Sequence, residues 1–128
     1  MMTNPYQVYQ TQQVTTATPP ELTLQLYQGA VRFLKQAIKA HQEKNWTVVN
    51  ERLQRVQEIY SELLVTLRPE YEISQSLAQL YDFLIRHVRE ANVKKDVKKM
   101  EEALELTVEL RNTWEQAMAN LKEGQGSP

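Results

Sequence analysis

Cysteine is absent from this 128-residue chain, which excludes thiol catalysis, Cys-ligated zinc and a disulfide scaffold. The absence also fits a reducing compartment. Glycine is scarce: of three, two lie in the closing Gly124-Gln125-Gly126-Ser127-Pro128. Four of the five prolines fall at or before Pro69, and the fifth is the last residue. A sheet protein of this size needs more turn punctuation than that. No stretch approaches the roughly 18 uninterrupted apolar residues of a membrane span, so no stable membrane insertion is expected. The opening Met1-Met2-Thr3-Asn4-Pro5-Tyr6 has neither a basic region nor an apolar run, so no secretory signal is expected there. A surplus of positive charge is also missing. Lys and Arg number 15 against 16 Asp and Glu, for a formal net charge of -1, which counts against a nucleic-acid partner.

What is present is helical. Hydrophobic residues make up 41% and charged residues 24%, ordinary globular usage, and the length supports one core. Residues 1–17 are rich in Gln and Thr and read as a polar N-terminal arm. Thr18-Pro19-Pro20-Glu21 then combines a capping hydroxyl, Pro at the first helical position and a capping-box Glu. The first helix carries two adjacent apolar rows, Leu26, Ala30, Phe33, Ala37, Ala40 and Tyr27, Val31, Leu34, Ile38, a wide buried stripe. It is expected to stop near Lys44. Asn45 can cap a second helix in which Trp46, Val49, Leu53, Val56, Tyr60, Leu63 and Leu67 alternate spacings of three and four. Pro69 ends it. Helix three places Ile73, Leu77, Leu80, Leu84 and Ala91 on one row, with Tyr81, Ile85 and Val88 alongside, and fades near Val93. Asp96 can cap helix four, whose apolar positions are Val97, Met100, Leu104, Leu106, Leu110, Trp114, Ala117, Met118 and Leu121, with Gly124 as the stop. Short connections favour antiparallel neighbours. The fold expected is all-α: an antiparallel up-down four-helix bundle over residues 18–123, preceded by the arm and followed by a flexible tail at 124–128.

Chemistry is sparse. A bundle di-metal site needs a Glu three residues before an inward His on two helices. The histidines are His41 and His87, and Ile38 and Leu84 stand where those Glu would be. His87 is expected at the edge of the core and His41 near a helix end. Ser61, Ser74 and Ser76 have no base arranged with them in sequence. Gly is too sparse for a phosphate-cradling loop. No cofactor and no catalytic activity are implied. Lys94, Lys95, Lys98 and Lys99 form a small basic patch around Asp96, which reads as a solvated turn and helix face.

Two features ask for more. Gly29, inside the best-signalled helix, costs roughly 1 kcal/mol against Ala. Close helix–helix packing repays that, and the alternative is the close approach of a partner's backbone. Tyr6 and Tyr9 stand at i,i+3 in an otherwise polar arm. Disordered tails are poor in aromatics, so the pair reads either as a docking element or as part of a frayed terminus.

Asn4-Pro5-Tyr6, Tyr9-Gln10, Val14, Thr16-Ala17-Thr18-Pro19, Glu21-Leu22, Leu26-Tyr27 and Gly29-Ala30 resemble the opening of the flagellar secretion chaperone (FliS) family. Leu80-Tyr81-Asp82-Phe83 resembles its helix-three motif, Ala91-Asn92 followed by Asp96 its helix-three exit, and Trp114 its late-helix Trp. The matches run in order from about residue 4 to residue 118. Gln28 and Phe83 depart from the usual residues. The resemblance implies a cytoplasmic, bacterial, non-enzymatic chaperone. It would bind the C-terminal segment of newly made flagellin, prevent premature polymerisation and serve delivery to the flagellar export gate. It also implies an antiparallel bundle. Combining family motif with groove-facing type gives a candidate flagellin-binding surface: Tyr6 and Tyr9 in the arm, Leu22, Leu26, Tyr27 and Gly29 on helix one, and Tyr81, Ile85, Val88 and Asn92 on helix three. Trp46, Leu53 and Trp114 are expected in the core. Two other readings stand beside this one: a generic bundle that dimerises through the Trp46–Leu67 seam, and a metal enzyme whose ligands assemble only in space.

Overall fold

A computed structural model describes residues 18–126, with side chains through Lys122. Four helices run in order: α1 (Pro19–Gln42), α2 (Trp46–Thr66), α3 (Glu72–Lys94) and α4 (Val97–Gly126). Each packs against two neighbours, α1 on α2, α2 on α3, α3 on α4 and α4 on α1, which closes a ring. There is no strand among the described residues. The Tyr6 and Tyr9 assignments lie outside the described residues.

The sequence signals explain the boundaries. Thr18 Oγ1 accepts from the Glu21 amide at 3.3 Å, with Pro19 and Pro20 opening α1. Asn45 Oδ1 accepts from Val48 N at 3.3 Å to start α2. Asp96 Oδ1 accepts from Lys98 N and Lys99 N at 3.1 and 3.4 Å to start α4. The two shortest links, 43–45 and 95–96, close in the same way. Asn45 N donates to Ala40 O at 2.8 Å, and Asp96 N to Ala91 O at 2.9 Å. These are the six-to-one bonds of a Schellman-type stop, which needs a left-handed residue just before the donor. Lys44 (φ 59°) and Lys95 (φ 51°) fill those places. A non-glycine residue there costs about 1 kcal/mol. The same residue that ends one helix stop, Asn45 or Asp96, caps the next helix. The third link, 67–71, is longer, and Tyr71 gives α3 no side-chain cap.

The core is filled by fully buried Leu34, Val49, Leu53, Val56, Leu63, Leu84, Val88 and Met100. Gly29 packs toward α2: a Cβ placed there would stand 3.3 Å from Ile59 Cδ1. What a side chain there would crowd is thus the α1–α2 contact inside the bundle. Two tyrosine contacts, one with a second tyrosine and one with a threonine, cross the ring diagonally. Tyr27 on α1 meets Tyr81 on α3, phenol to phenol. Tyr60 on α2 donates to Thr107 Oγ1 on α4 at 2.7 Å, while Thr107 donates to Ala103 O at 2.7 Å.

Several expectations need correcting. Trp46 is 44% exposed: as the first residue of α2 it stands at an end of the bundle, where its ring meets His41 in the last turn of α1 edge-on. Ile73, in the first turn of α3, is 65% exposed. Trp114 is half-buried. On α4 the inward row is Met100, Ala103 and Thr107, and Ala117 and Leu121 are exposed. The cause is length: α4 has 30 residues against 24, 21 and 23 in the others. Trp114 already stands beside Pro20 at the start of α1, so the α4 residues beyond it run past the neighbours' ends. Gly124 lies within α4 rather than ending it.

Candidate functional site

α1 and α3 start at the same end of the bundle and sit on a diagonal of the ring, so their backbones do not meet. A gap between their first turns is the geometric consequence. It forms a groove of about 470 Å³ lined by Pro19, Pro20 and Leu22 of α1, Leu67 and Tyr71 of the link, Ile73 and Leu77 of α3, and Trp114 of α4. Apolar side chains dominate the wall. Polar groups are few and placed: Thr23, Thr66, Arg68 and Ser74. The Trp114 indole N–H donates to Pro20 O at 2.9 Å and so fixes one wall. Its ring lies edge-on to Tyr27, with centroids 6.4 Å apart.

Tyr81 forms the groove floor, and its phenol meets that of Tyr27 in the bundle beneath. Burial pushes both phenols above their ordinary range. The shared hydrogen bond raises Tyr81 further and offsets part of the shift at Tyr27. Both rings therefore stay neutral at physiological pH, and each satisfies the other's polar atom beneath an apolar cleft. Tyr60 is likewise held neutral by burial, with its bond to Thr107 offsetting part of the effect.

A second, shallower depression runs along the α2–α3 face, about 570 Å³, with Gln54, Gln57, Glu58, Ser61, Val65, Ile85 and Arg89 on its walls. Val65 is 83% exposed there. This face is mostly polar, with Val65 and Ile85 as its apolar points.

The candidates from sequence divide accordingly. Leu22 and Tyr81 line the groove, the first half-buried and the second as floor. Leu26, Tyr27, Gly29 and Val88 are buried in the bundle and offer no outer surface. The expectation of surface positions is corrected for these four and for the largely enclosed Tyr81. They fall on the inner edge of a wide apolar stripe whose outer edge alone is open. Ile85 is half-buried in the α2–α3 depression. Asn92 sits at the opposite end of the bundle, where its Nδ2 donates to Asn50 Oδ1 at 2.9 Å. Sequence reading did not single out Leu67, Tyr71, Ile73, Leu77 and Pro20 as groove residues. A usable signal was Tyr71 and Ile73 just beyond the helix-breaking Pro69, large apolar side chains at a helix start with little left to cover them.

Among the described residues no group of three or more His, Cys, Asp or Glu could hold a metal ion. His41 instead meets Lys95 O at 2.9 Å, and His87 meets Glu102 Oε1 at 3.0 Å while stacking on Phe83. No helix is long and apolar enough to cross a membrane.

A family model described as "Flagellar protein FliS" matches residues 2–121. The "Flagellar secretion chaperone FliS" of Bacillus subtilis (strain 168) is 38% identical over 125 residues, covering 97% of this chain and 94% of that protein. The protein of the same name from Vibrio cholerae serotype O1 is 32% identical over 106 residues, covering 81% of this chain and 78% of that one. With a model match over nearly the full length and two such relatives, this chain belongs to the FliS family of flagellar secretion chaperones.

Proposed function

We propose that this protein binds the C-terminal segment of flagellin in the cytoplasm, keeps it from polymerising early and presents it for export at components of the flagellar export gate. The reading assigns it no catalytic step. The observation that carries it beyond family membership is the apolar groove between the starts of α1 and α3. An amphipathic segment can lay its apolar side chains into such a groove and turn its polar face outward. Leu22, Leu67, Ile73, Leu77 and Trp114 are the contacts assigned to it, with Tyr81 beneath.

Magnitudes say how much of the segment is needed. Three apolar anchors buried in the groove supply about 5–9 kcal/mol. Ordering a disordered segment costs about 2–5 kcal/mol of that. The remainder falls short of the roughly 8 kcal/mol of a micromolar complex. A firm complex therefore also uses the α2–α3 face, where Val65 and Ile85 offer further apolar contact. Such an extended, modular contact is strong in sum and can be peeled off piece by piece.

The chain reaches α1 through Thr18 at the rim of this groove. In this reading the arm, with Tyr6 and Tyr9, competes for the groove when no partner is present. The partner's apparent affinity then falls by the open fraction. The double substitution Tyr6→Ala, Tyr9→Ala is expected to raise dye binding in the free protein and to leave partner affinity level or higher. A sharp drop in affinity would make the two tyrosines direct contacts instead.

Calorimetry and circular dichroism with a flagellin C-terminal fragment test the main reading. One-to-one heat release at micromolar concentration is expected, with helicity above the sum of the parts. Neither signal appearing would remove it.

A further inference from the structure

The end of the bundle opposite the groove has a chemistry of its own. The α1–α2 and α3–α4 links lie together there, since His41 meets the Lys95 carbonyl at 2.9 Å. Contacts then run around the end. His41 packs on Trp46, and one turn along α2 Asn50 accepts from Asn92. Lys95 Nζ returns to Asn92 O and Oδ1 at 2.7 and 2.6 Å. This circuit ties the two links to each other and to α2.

What this base of the bundle displays is cationic and apolar together. Lys39, Lys44, Lys94, Lys95, Lys98 and Lys99 face Glu43, Glu90 and Asp96 in these turns, in a chain whose formal net charge is -1. The acids are largely engaged: Glu90 by Lys94 at 2.8 Å and Lys99 at 3.6 Å, Asp96 by the α4 amides. Among the described residues, exposed Lys39, Lys44 and Lys98 form no ion pair. Trp46, 44% exposed, and Val93, 79% exposed, stand among them. Exposed Trp ringed by charge is the composition of an interface anchor with a polar rim.

We propose that this base is a docking surface for an acidic face of a second protein, with Trp46 as the apolar anchor and Lys44 and Lys98 as the charges that select it. Charge complementarity names the class of partner. Phosphate polymers and anionic lipids fit less well, because acids are interspersed with the lysines and the rest of the chain is net acidic. The surface is separate from the groove, so both can be occupied at once.

The test uses the full chain and an amphipathic helical peptide with leucines on one face and glutamates on the rest. Amide NMR is expected to show saturable shifts confined to residues 44–49 and 93–99, weakening as salt rises. Trp46→Ala, and separately Lys44→Glu with Lys98→Glu, are expected to weaken binding by roughly tenfold or more. Their spectra elsewhere should be unchanged, and binding of the flagellin segment should be retained. Shifts at the groove only, no shifts, or variants that bind as tightly as the parent would overturn the proposal. Tighter binding of a single-stranded oligonucleotide or of anionic vesicles would also overturn it, by assigning the base to phosphate. Self-association of the protein alone would do the same, by assigning it to a second copy.

Discussion

The two ends of this bundle are built from the same parts and finished in opposite ways. At the base, two short links satisfy their own backbone through paired Schellman-type bonds and Asx caps. Side chains of three helices then lock together across the end. At the other end, one long link leaves α3 without a side-chain cap. α1 and α3 stand apart, and the space between their first turns is apolar and open. The charges differ too. α1 and α3 have Glu21 and Glu72 in their first turns, as a helix start favours. α2 and α4 have no acid there, and α4 has Lys98 and Lys99. The lesson is that a closed end and an open end need not compete for stability. The core between them carries the fold, which leaves the open end available for a partner.

That division can be broken most forcefully in the middle. Leu53 is fully buried between the two ends, and Leu53→Ala is expected to cost about 2–5 kcal/mol. The melting temperature should drop steeply, with both ends affected together. An unchanged melting temperature would mean that stability resides elsewhere. Ile73→Asp acts at the open end alone. Ile73 is largely solvent-exposed, so stability should move by no more than about 0.5 kcal/mol. Affinity for the flagellin segment should fall about tenfold, the loss of one apolar anchor worth about 1.4 kcal/mol. Equal affinity in calorimetry would take Ile73 out of the site.

Alkaline pH probes the buried phenols that tie the diagonals. Burial raises Tyr27, Tyr60 and Tyr81 above their ordinary values, so the folded state keeps protons that the unfolded chain releases. The stability linked to this is full below about pH 10 and is lost as pH climbs through the raised folded values. Melting temperature should therefore fall above about pH 10. Tyr60→Phe should soften that fall, at a cost near neutral pH of about 1 kcal/mol for the bond to Thr107. A pH profile identical to the parent's would show that Tyr60 is not linked in this way. The smallest expected effect is at Gly29→Ala. The added Cβ meets only the flexible tip of Ile59 at 3.3 Å, while helix propensity improves by about 1 kcal/mol. Stability should change by less than about 1 kcal/mol in either direction. A large loss would mean that the α1–α2 contact has no room to adjust.

Helix positions were legible because their determinants are local. Thr18, Asn45 and Asp96 act within a few residues of themselves, and each caps as expected. The Val49–Leu63 row buried itself because a heptad seam fixes which face turns inward. Cover was harder to read. Trp46, Ile73 and Leu121 have core-like side chains, yet each sits near an end of its helix, where less of the bundle covers it. Relative helix offset is a property of pairs, not of one segment. The same blindness hid the groove. Tyr71 and Ile73 belong to it only because Pro20 and Trp114 arrive from other helices to form the facing wall. Conversely, Tyr27 and Tyr81 bore motif and apolar type but close on each other.

The most direct measurement of the two-ended account is an amide NMR titration of the full chain with the flagellin C-terminal segment. The account predicts saturating shifts at Leu22, Leu67, Ile73, Leu77 and the Trp114 indole, continuing toward Val65 and Ile85, while Lys44 through Val49 and Val93 through Lys99 stay still. Shifts gathered at the base with the groove silent would contradict it.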